Sequence, residues 1–146
     1  MESKIIPIAA DHAGYELKQE IIKYLKDINY TVKDYGTNSL DSCDYPDYIH
    51  PLATAINNGE YTQGIIICGS ANGVNIIANK YENVRSAICW LPQLAALARQ
   101  HNDANVLALP SRFVKISDAL IIVDTFLATA FEGGRHQTRV DKIKRN

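Results

Sequence analysis

Apolar residues fall along this chain in blocks whose period changes from one block to the next. Five short runs read as strands: KIIPIAA (4–10), TVKDY (31–35), GIIIC (64–68), RSAIC (85–89) and NVLAL (105–109). The segments between them carry apolar residues at helical spacing. A helix over 15–28 lines up Leu17, Ile21, Tyr24, Leu25 and Ile28, and one over 48–58 presents Ile49, Leu52, Ala53 and Ile56. A third opens near Gly73 with Val74, Ile76, Ile77 and Ala78, a fourth runs from Pro92 to about His101, and a long fifth covers 115–129. The tail over 132–146 begins with paired glycines, and a last helix there sets Arg135 and Arg139 one turn apart on the same face.

Strands that alternate with helices, and that are apolar throughout, predict a parallel sheet covered on both faces. The expected fold class is α/β: a Rossmann-like three-layer sandwich with a five-stranded parallel sheet, right-handed crossovers and a C-terminal helical tail, all in one domain over 1–146. Ligands of such sheets lie beyond the carboxyl ends of the strands, so AADH, CGSANG and the stretch after NVLALPSR become the places to look.

Composition narrows the function classes. A net charge of −1 and a pI of 6.4 carry no basic excess for nucleic acid. No apolar run approaches the ~20 residues of a membrane span, and the six-residue stretch in MESKIIPIAADH is too short for a signal peptide. Three cysteines at scattered spacing, with no C-x-x-C, suit neither a disulfide framework nor a zinc site, which points to a reduced, cytoplasmic protein.

The loop after Cys68 is none of the familiar phosphate or nucleophile loops. It lacks the Lys of a Walker A loop, the spacing of G-x-G-x-x-G and G-x-S-x-G, and the arginine of a cysteine phosphatase. What remains is a thiol at a strand mouth beside N–H groups leading into a helix, a setting that favours thiolate and binds an oxyanion. Taken alone, Cys68 suits a small buried apolar residue, Asp11 a helix cap, His101 an exposed loop imidazole, and Arg135 with Arg139 a solvated basic face. Together with His12, Asn102, Arg112, Asp44 and Tyr45 they are expected on one rim. A thiol, a histidine, a carboxylate and several arginines without metal-ligand spacing suit metal-free proton transfer on a small phosphorylated molecule.

In order and spacing, DHAGYELKQEI, YGTNSLDSCDYPDY, GIIICGS, ANK, RQHNDANVLALPSR and EGGRHQTRV resemble ribose-5-phosphate isomerases of the B type, a family that includes the galactose-6-phosphate isomerase subunits. The resemblance covers nearly the whole chain. It implies interconversion of ribose 5-phosphate and ribulose 5-phosphate, in the pentose phosphate pathway, without metal or other cofactor. Cys68 would then be the base acting through an enediolate, with Ser70 close to the thiol and the N–H groups of Gly69, Ser70, Ala71, Asn72 and Gly73 stabilising the oxyanion. His101 would open the furanose ring, and Asp11 and Asn102 would hold sugar hydroxyls. His12, Arg112, Arg135 and Arg139 would hold the phosphate, and Asp44 and Tyr45 match a substrate-side stretch. A homodimer with shared active sites is implied, with a tetramer as the alternative.

Asn75 stands where a second version of the family places a glutamate, so Cys68 puts this chain in the cysteine version. One departure stands out: where the family commonly has glycine, this chain has Ala71, an awkward residue if that position needs positive φ. The rival readings are isomerisation of galactose 6-phosphate or allose 6-phosphate, and a non-catalytic phosphosugar sensor. Binding alone would need neither Cys68 nor His101.

Overall fold

The structure is a computed structural model that describes residues 4–145. The first three residues and Asn146, which end the expected domain and its tail, lie outside the described residues. In chain order the elements are β1 (Ile5–Ala10), a 3-10 turn (His12–Gly14), α1 (Tyr15–Asp27), β2 (Thr31–Asp34), α2 (Tyr45–Asn57), β3 (Gly64–Cys68), α3 (Asn72–Ala78), β4 (Ser86–Ile88), α4 (Pro92–Asn102), β5 (Val106–Pro110), α5 (Ile116–Ala128) and α6 (Arg135–Asp141). The five strands form one sheet in the order β2-β1-β3-β5-β4, and every neighbouring pair is parallel. The expected α/β class and strand number hold.

Strand composition explains the layering. β3 and β5 are buried at every residue, and the period of two sends their side chains to opposite faces. Ile65, Ile67, Leu107 and Leu109 join Leu17 and Ile21 of α1, Ala95 of α4 and Phe126 of α5 in one core. Ile66, Cys68 and Ala108 join Leu52 and Ile56 of α2 and Val74 of α3 in the other. Each fully buried isoleucine or leucine contributes about 1.5–3 kcal/mol. Cys68 therefore looks toward α2 and α3.

Boundaries differ from the pattern by one to three residues. The largest shift is in α2, which starts at Tyr45 rather than 48. Asp44 is extended at the cap and Pro46 sits in the first turn, where its missing N–H costs nothing. The polar loop after β2 is shorter by that much, and Tyr45 is held on a helix.

One ion pair fastens the end of β2, where this loop begins, to α1. The Lys18 ammonium, on the buried side of α1 with a side-chain exposure of 0%, donates to both carboxylate oxygens of Asp34 at 2.8 Å. Asp34 Oδ1 also accepts the Gly36 N–H at 2.9 Å, so the end of β2 and the loop entry share one anchor. Asp34→Ala is expected to cost about 3 kcal/mol, because it leaves a buried ammonium with no carboxylate and only the Gln19 side-chain oxygen, at 3.1 Å, to accept from it. Lys18→Met should cost distinctly less, and adding it to Asp34→Ala should recover part of the loss. Urea denaturation of the three variants measures this; equal costs for the two single changes would show that the ammonium does not depend on its carboxylate.

Candidate active site

The sheet reverses direction between β1 and β3: the chain leaves β1 toward β2 on one side and reaches β3 on the other. Beyond the carboxyl ends of these strands lies the crevice that α/β sheets use for ligands. Asp11 leaves β1 with its N–H on the Ile67 carbonyl (3.2 Å), and its Oδ1 accepts the Gly14 N–H at 3.1 Å. The capping role is therefore real. Gly14 is needed because a Cβ there would meet Ile67 atoms at 2.7–2.9 Å. His12, in the same turn, receives the Cys43 N–H on Nδ1 at 3.3 Å, which leaves the proton of the neutral imidazole on Nε2.

Cys68 ends β3 with 6% exposure. Its carbonyl accepts the Ser111 N–H at 2.9 Å, and the Gly69 carbonyl accepts the Arg112 N–H at 3.1 Å. The β3–β5 pairing thus runs on past both strands and brings the Arg112 side chain over Gly69, within 3.1–3.3 Å of where a Cβ would stand. The Ser70 hydroxyl accepts the Asn72 N–H at 3.3 Å at the entry to α3. Ala71 has φ of 65°, the left-handed conformation that was awkward for alanine, and its methyl is fully buried in the α2–α3 core. A strain of about 1–2 kcal/mol is offset there by burial. At Gly73 a Cβ would lie 2.5–2.8 Å from the Tyr45 ring, so only glycine lets that ring cover the loop. Asp44, Tyr45, Asp11, His12, the 68–73 loop and Arg112 are thus together at one end of the sheet.

The other expected residues are not there. α4 starts after the carboxyl end of β4 and returns alongside the sheet, so its last turn, with His101 and Asn102, lies where β5 begins. The ends of β5 are about 13 Å apart at ~3.3 Å per residue. Arg135 and Arg139 also lie at that far end: the Glu132 N–H donates to the Gln100 carbonyl at 3.1 Å, which seats the start of the tail on α4. Both arginine side chains are exposed, and neither guanidinium makes a hydrogen bond or ion pair among the described residues. The expectation of one rim is corrected to two opposite ends, because a residue after a strand and a residue after a helix cannot share an end of a parallel sheet.

At the far end, His101 stacks on His136 with centroids 4.3 Å apart and an 11° interplanar angle. Glu132 Oε1 lies 3.7 Å from one Nε2 and 3.6 Å from the other. Loss of water contact, followed by the charge of His101, pulls His136 below the ordinary imidazole range. No metal-ligand spacing marks these residues in the sequence, yet their donor atoms gather within 4.8 Å of one another. A cavity of ≈ 690 Å³ is also at this end and is bordered by Asn102, Arg85 and Ser86. At the thiol end an apolar cleft of ≈ 380 Å³ runs between Ser70, Asn72, Trp90 and Phe113. The chemistry-bearing groups favour the thiol end.

Sequence reading missed the residues that hold both ends in shape. The Ser111 hydroxyl donates to the Ala13 carbonyl at 2.9 Å, with the Cys68 carbonyl at 3.3 Å, and so clamps three strand ends. Arg99 donates to Asp103 (2.9 Å), to the Ala104 carbonyl (2.6 Å) and to the Thr129 carbonyl (3.1 Å), which fixes the turn bearing His101. Both sit inside stretches already quoted, RQHNDANV and ALPSR, but only contacts distant in sequence reveal their work.

Comparison with known proteins agrees with this architecture. The Ribose/Galactose Isomerase family matches residues 6–143. Ribose-5-phosphate isomerase B of Escherichia coli is 46% identical over 140 residues, 96% of this chain and 94% of that one. The crystal structure of a ribose 5-phosphate isomerase from Thermotoga maritima superposes with a TM-score of 0.95 at 45% identity, covering 98% of this chain and 99% of that one. Ribose-5-phosphate isomerase B from Mycoplasma genitalium with bound ribulose-5-phosphate follows at 0.93 and 47%, covering 98% and 95%. Fold and relatives define an α/β enzyme that isomerises sugar phosphates. The chain belongs to the ribose/galactose isomerase family.

The three thiols differ in ways a label can read. Cys43 is half-buried, whereas burial pushes the Cys89 thiol up to about 12. Iodoacetamide on the native protein is expected to label Cys43 and leave Cys89 untouched until urea unfolds the chain. Peptide mass mapping decides, and native labelling of Cys89 at the rate of Cys43 would contradict its burial.

Proposed function

We propose that this enzyme interconverts ribose 5-phosphate and ribulose 5-phosphate without a metal, and that each of its active sites is built from two chains. The observation that carries the reading is the pair of half-sites at opposite ends of the sheet, each holding groups the other lacks. One has the thiol, the oxyanion loop and Asp11; the other has an imidazole and two unpaired guanidinium groups. A two-fold dimer that sets the strand-end face of one chain against the helix-end face of its partner yields two identical complete sites. The bound ribulose-5-phosphate of the Mycoplasma genitalium relative supports the substrate. Three free cysteines fit a reducing cytoplasm.

In this mechanism His101 of the partner subunit moves a proton between the anomeric hydroxyl and the ring oxygen, opening the furanose. Cys68, as thiolate, takes the proton from the second carbon. The electrons flow into the carbonyl, and the N–H groups of residues 69–73 together with Ser70 stabilise the enediolate oxygen. The proton of the second-carbon hydroxyl passes to the first-carbon oxygen, the second carbon becomes the carbonyl, and the thiol returns its proton to the first carbon, giving the ketose. Asp11 and the partner subunit's Asn102 bind hydroxyls, Tyr45 and Asp44 close the substrate side, and His12 and Arg112 hold the phosphate together with the partner subunit's Arg135 and the partner subunit's Arg139. Each charge-assisted contact contributes about 1.5–3 kcal/mol.

Side-by-side assays with ribose 5-phosphate, galactose 6-phosphate and allose 6-phosphate test the substrate, and a clear preference for a six-carbon sugar would overturn the pentose assignment. Cys68→Ala is expected to abolish isomerisation of every sugar. His101→Asn should spare an open-chain tetrose phosphate while nearly silencing ring-closed substrates; equal damage to both would refute the division of labour.

Shared sites predict complementation. Cys68→Ala and Arg139→Ala are each expected to be nearly inactive, but unfolding and refolding them together makes about half the dimers mixed, so about a quarter of all sites regain function. Activity measured after mixing decides. A mixture as dead as its parents, with mixed dimers shown by mass spectrometry, would place both residues in one chain's site.

A further inference from the structure

We propose that His101, Glu132 and His136 form a binding site for a divalent transition metal such as zinc, and that filling it switches the isomerase off. The inhibition, unlike the binding, rests on the assignment of ring opening to His101 made above. His101 comes from the last turn of α4, Glu132 from the loop that enters α6, and His136 from the first turn of α6. Glu132 Oε1 lies 3.7 Å from His101 Nε2 and 3.6 Å from His136 Nε2, and all three donor atoms fall within 4.8 Å of one another. Tetrahedral ligands at about 2.0–2.2 Å from zinc stand roughly 3.4 Å apart, so the two gaps to the carboxylate are already near the size a metal sets.

The backbone holds this arrangement from both sides. The Glu132 N–H donates to the Gln100 carbonyl at 3.1 Å, and the His136 N–H to the Gly133 carbonyl at 3.0 Å. Among the described residues the Glu132 carboxylate has no ion-pair partner other than these two imidazoles. Stacking at 11° leaves the ring lone pairs side by side rather than convergent, so one ring must turn about its Cβ–Cγ bond. The His101 side chain is 43% exposed and has room to do so. Two imidazoles and one carboxylate are a zinc donor set, with the fourth position left to water. A metal there holds the lone pair that His101 needs for proton transfer, and so competes with ring-closed substrate.

The test uses full-length enzyme dialysed against a strong chelator. Cobalt(II) is titrated while its visible absorption is followed, and zinc is titrated against a chromophoric chelator, with wild type, Glu132→Gln and His136→Gln. One ion per chain is expected, with affinity falling about tenfold or more in each variant, since loss of a direct ligand costs no less than loss of an outer-shell partner. Both variants should keep isomerase activity, their zinc inhibition should weaken in parallel, and chelator should restore the wild type. Equal affinity in all three proteins would move the metal elsewhere, for instance to Cys43 and His12, whose Sγ and Nδ1 lie 3.9 Å apart, and would overturn the site. Binding that depends on Glu132 and His136 but leaves ring-closed turnover untouched would overturn the inhibition. A normal cobalt spectrum in a protein that isomerises no sugar phosphate would uphold the site and refute the functional reading instead.

Discussion

A parallel sheet buried on both faces forces each connection to travel back along its outside before the next strand can begin. Strand-to-helix turns therefore collect at one end of the sheet, and helix-to-strand turns at the other. Here β3 and β5 have no exposed residue, so they accept no shorter route. The placement of the candidate site residues follows from that separation. Cys68 ends a strand and Asp11 and Arg112 lie just beyond one, whereas His101 and Asn102 end a helix, and the tail that bears Arg135 and Arg139 is seated on that same helix end. A single chain holds these two sets apart by the length of its own strands.

The thiol end is shaped by close approaches rather than by charge. Gly14 lies against Ile67, Arg112 lies over Gly69, and the Tyr45 ring covers Gly73, each at distances a methyl group would disturb. Ala71 does the opposite: it accepts a left-handed backbone and fills the α2–α3 core with its methyl. The loop beside Cys68 is thus held by packing from beneath and by Ser111 from the neighbouring strand. Such rigidity is what lets N–H groups stabilise charge without reorganising.

Much of this was legible in the order of residues. Runs such as GIIIC and NVLAL admit only a buried strand, and the stripe of Leu17, Ile21 and Leu25 only an amphipathic helix, because local periodicity carries that information. The family pattern supplied the candidate residues. The start of α2 was misjudged by three residues because Asp44 and Pro46 read as loop until the helix they begin is seen. The His101–Glu132–His136 group was invisible because its members reach one another only when α6 docks on α4, and Lys18, a lysine with no exposed surface, would be read from sequence as a solvated charge.

By itself, then, the chain's order of residues determined the class of fold, the position of each element to within a turn, and which groups are candidates for the chemistry. These depend on hydrophobic period, backbone preference and side-chain type, which are properties of neighbours in sequence. Tertiary structure alone decided where the groups stand relative to one another: which face Cys68 looks toward, that Tyr45 lies on Gly73, and that His101 is a sheet's length from the thiol. Those relations are set by strand order and crossover direction, which join residues far apart in sequence and leave no local periodic trace.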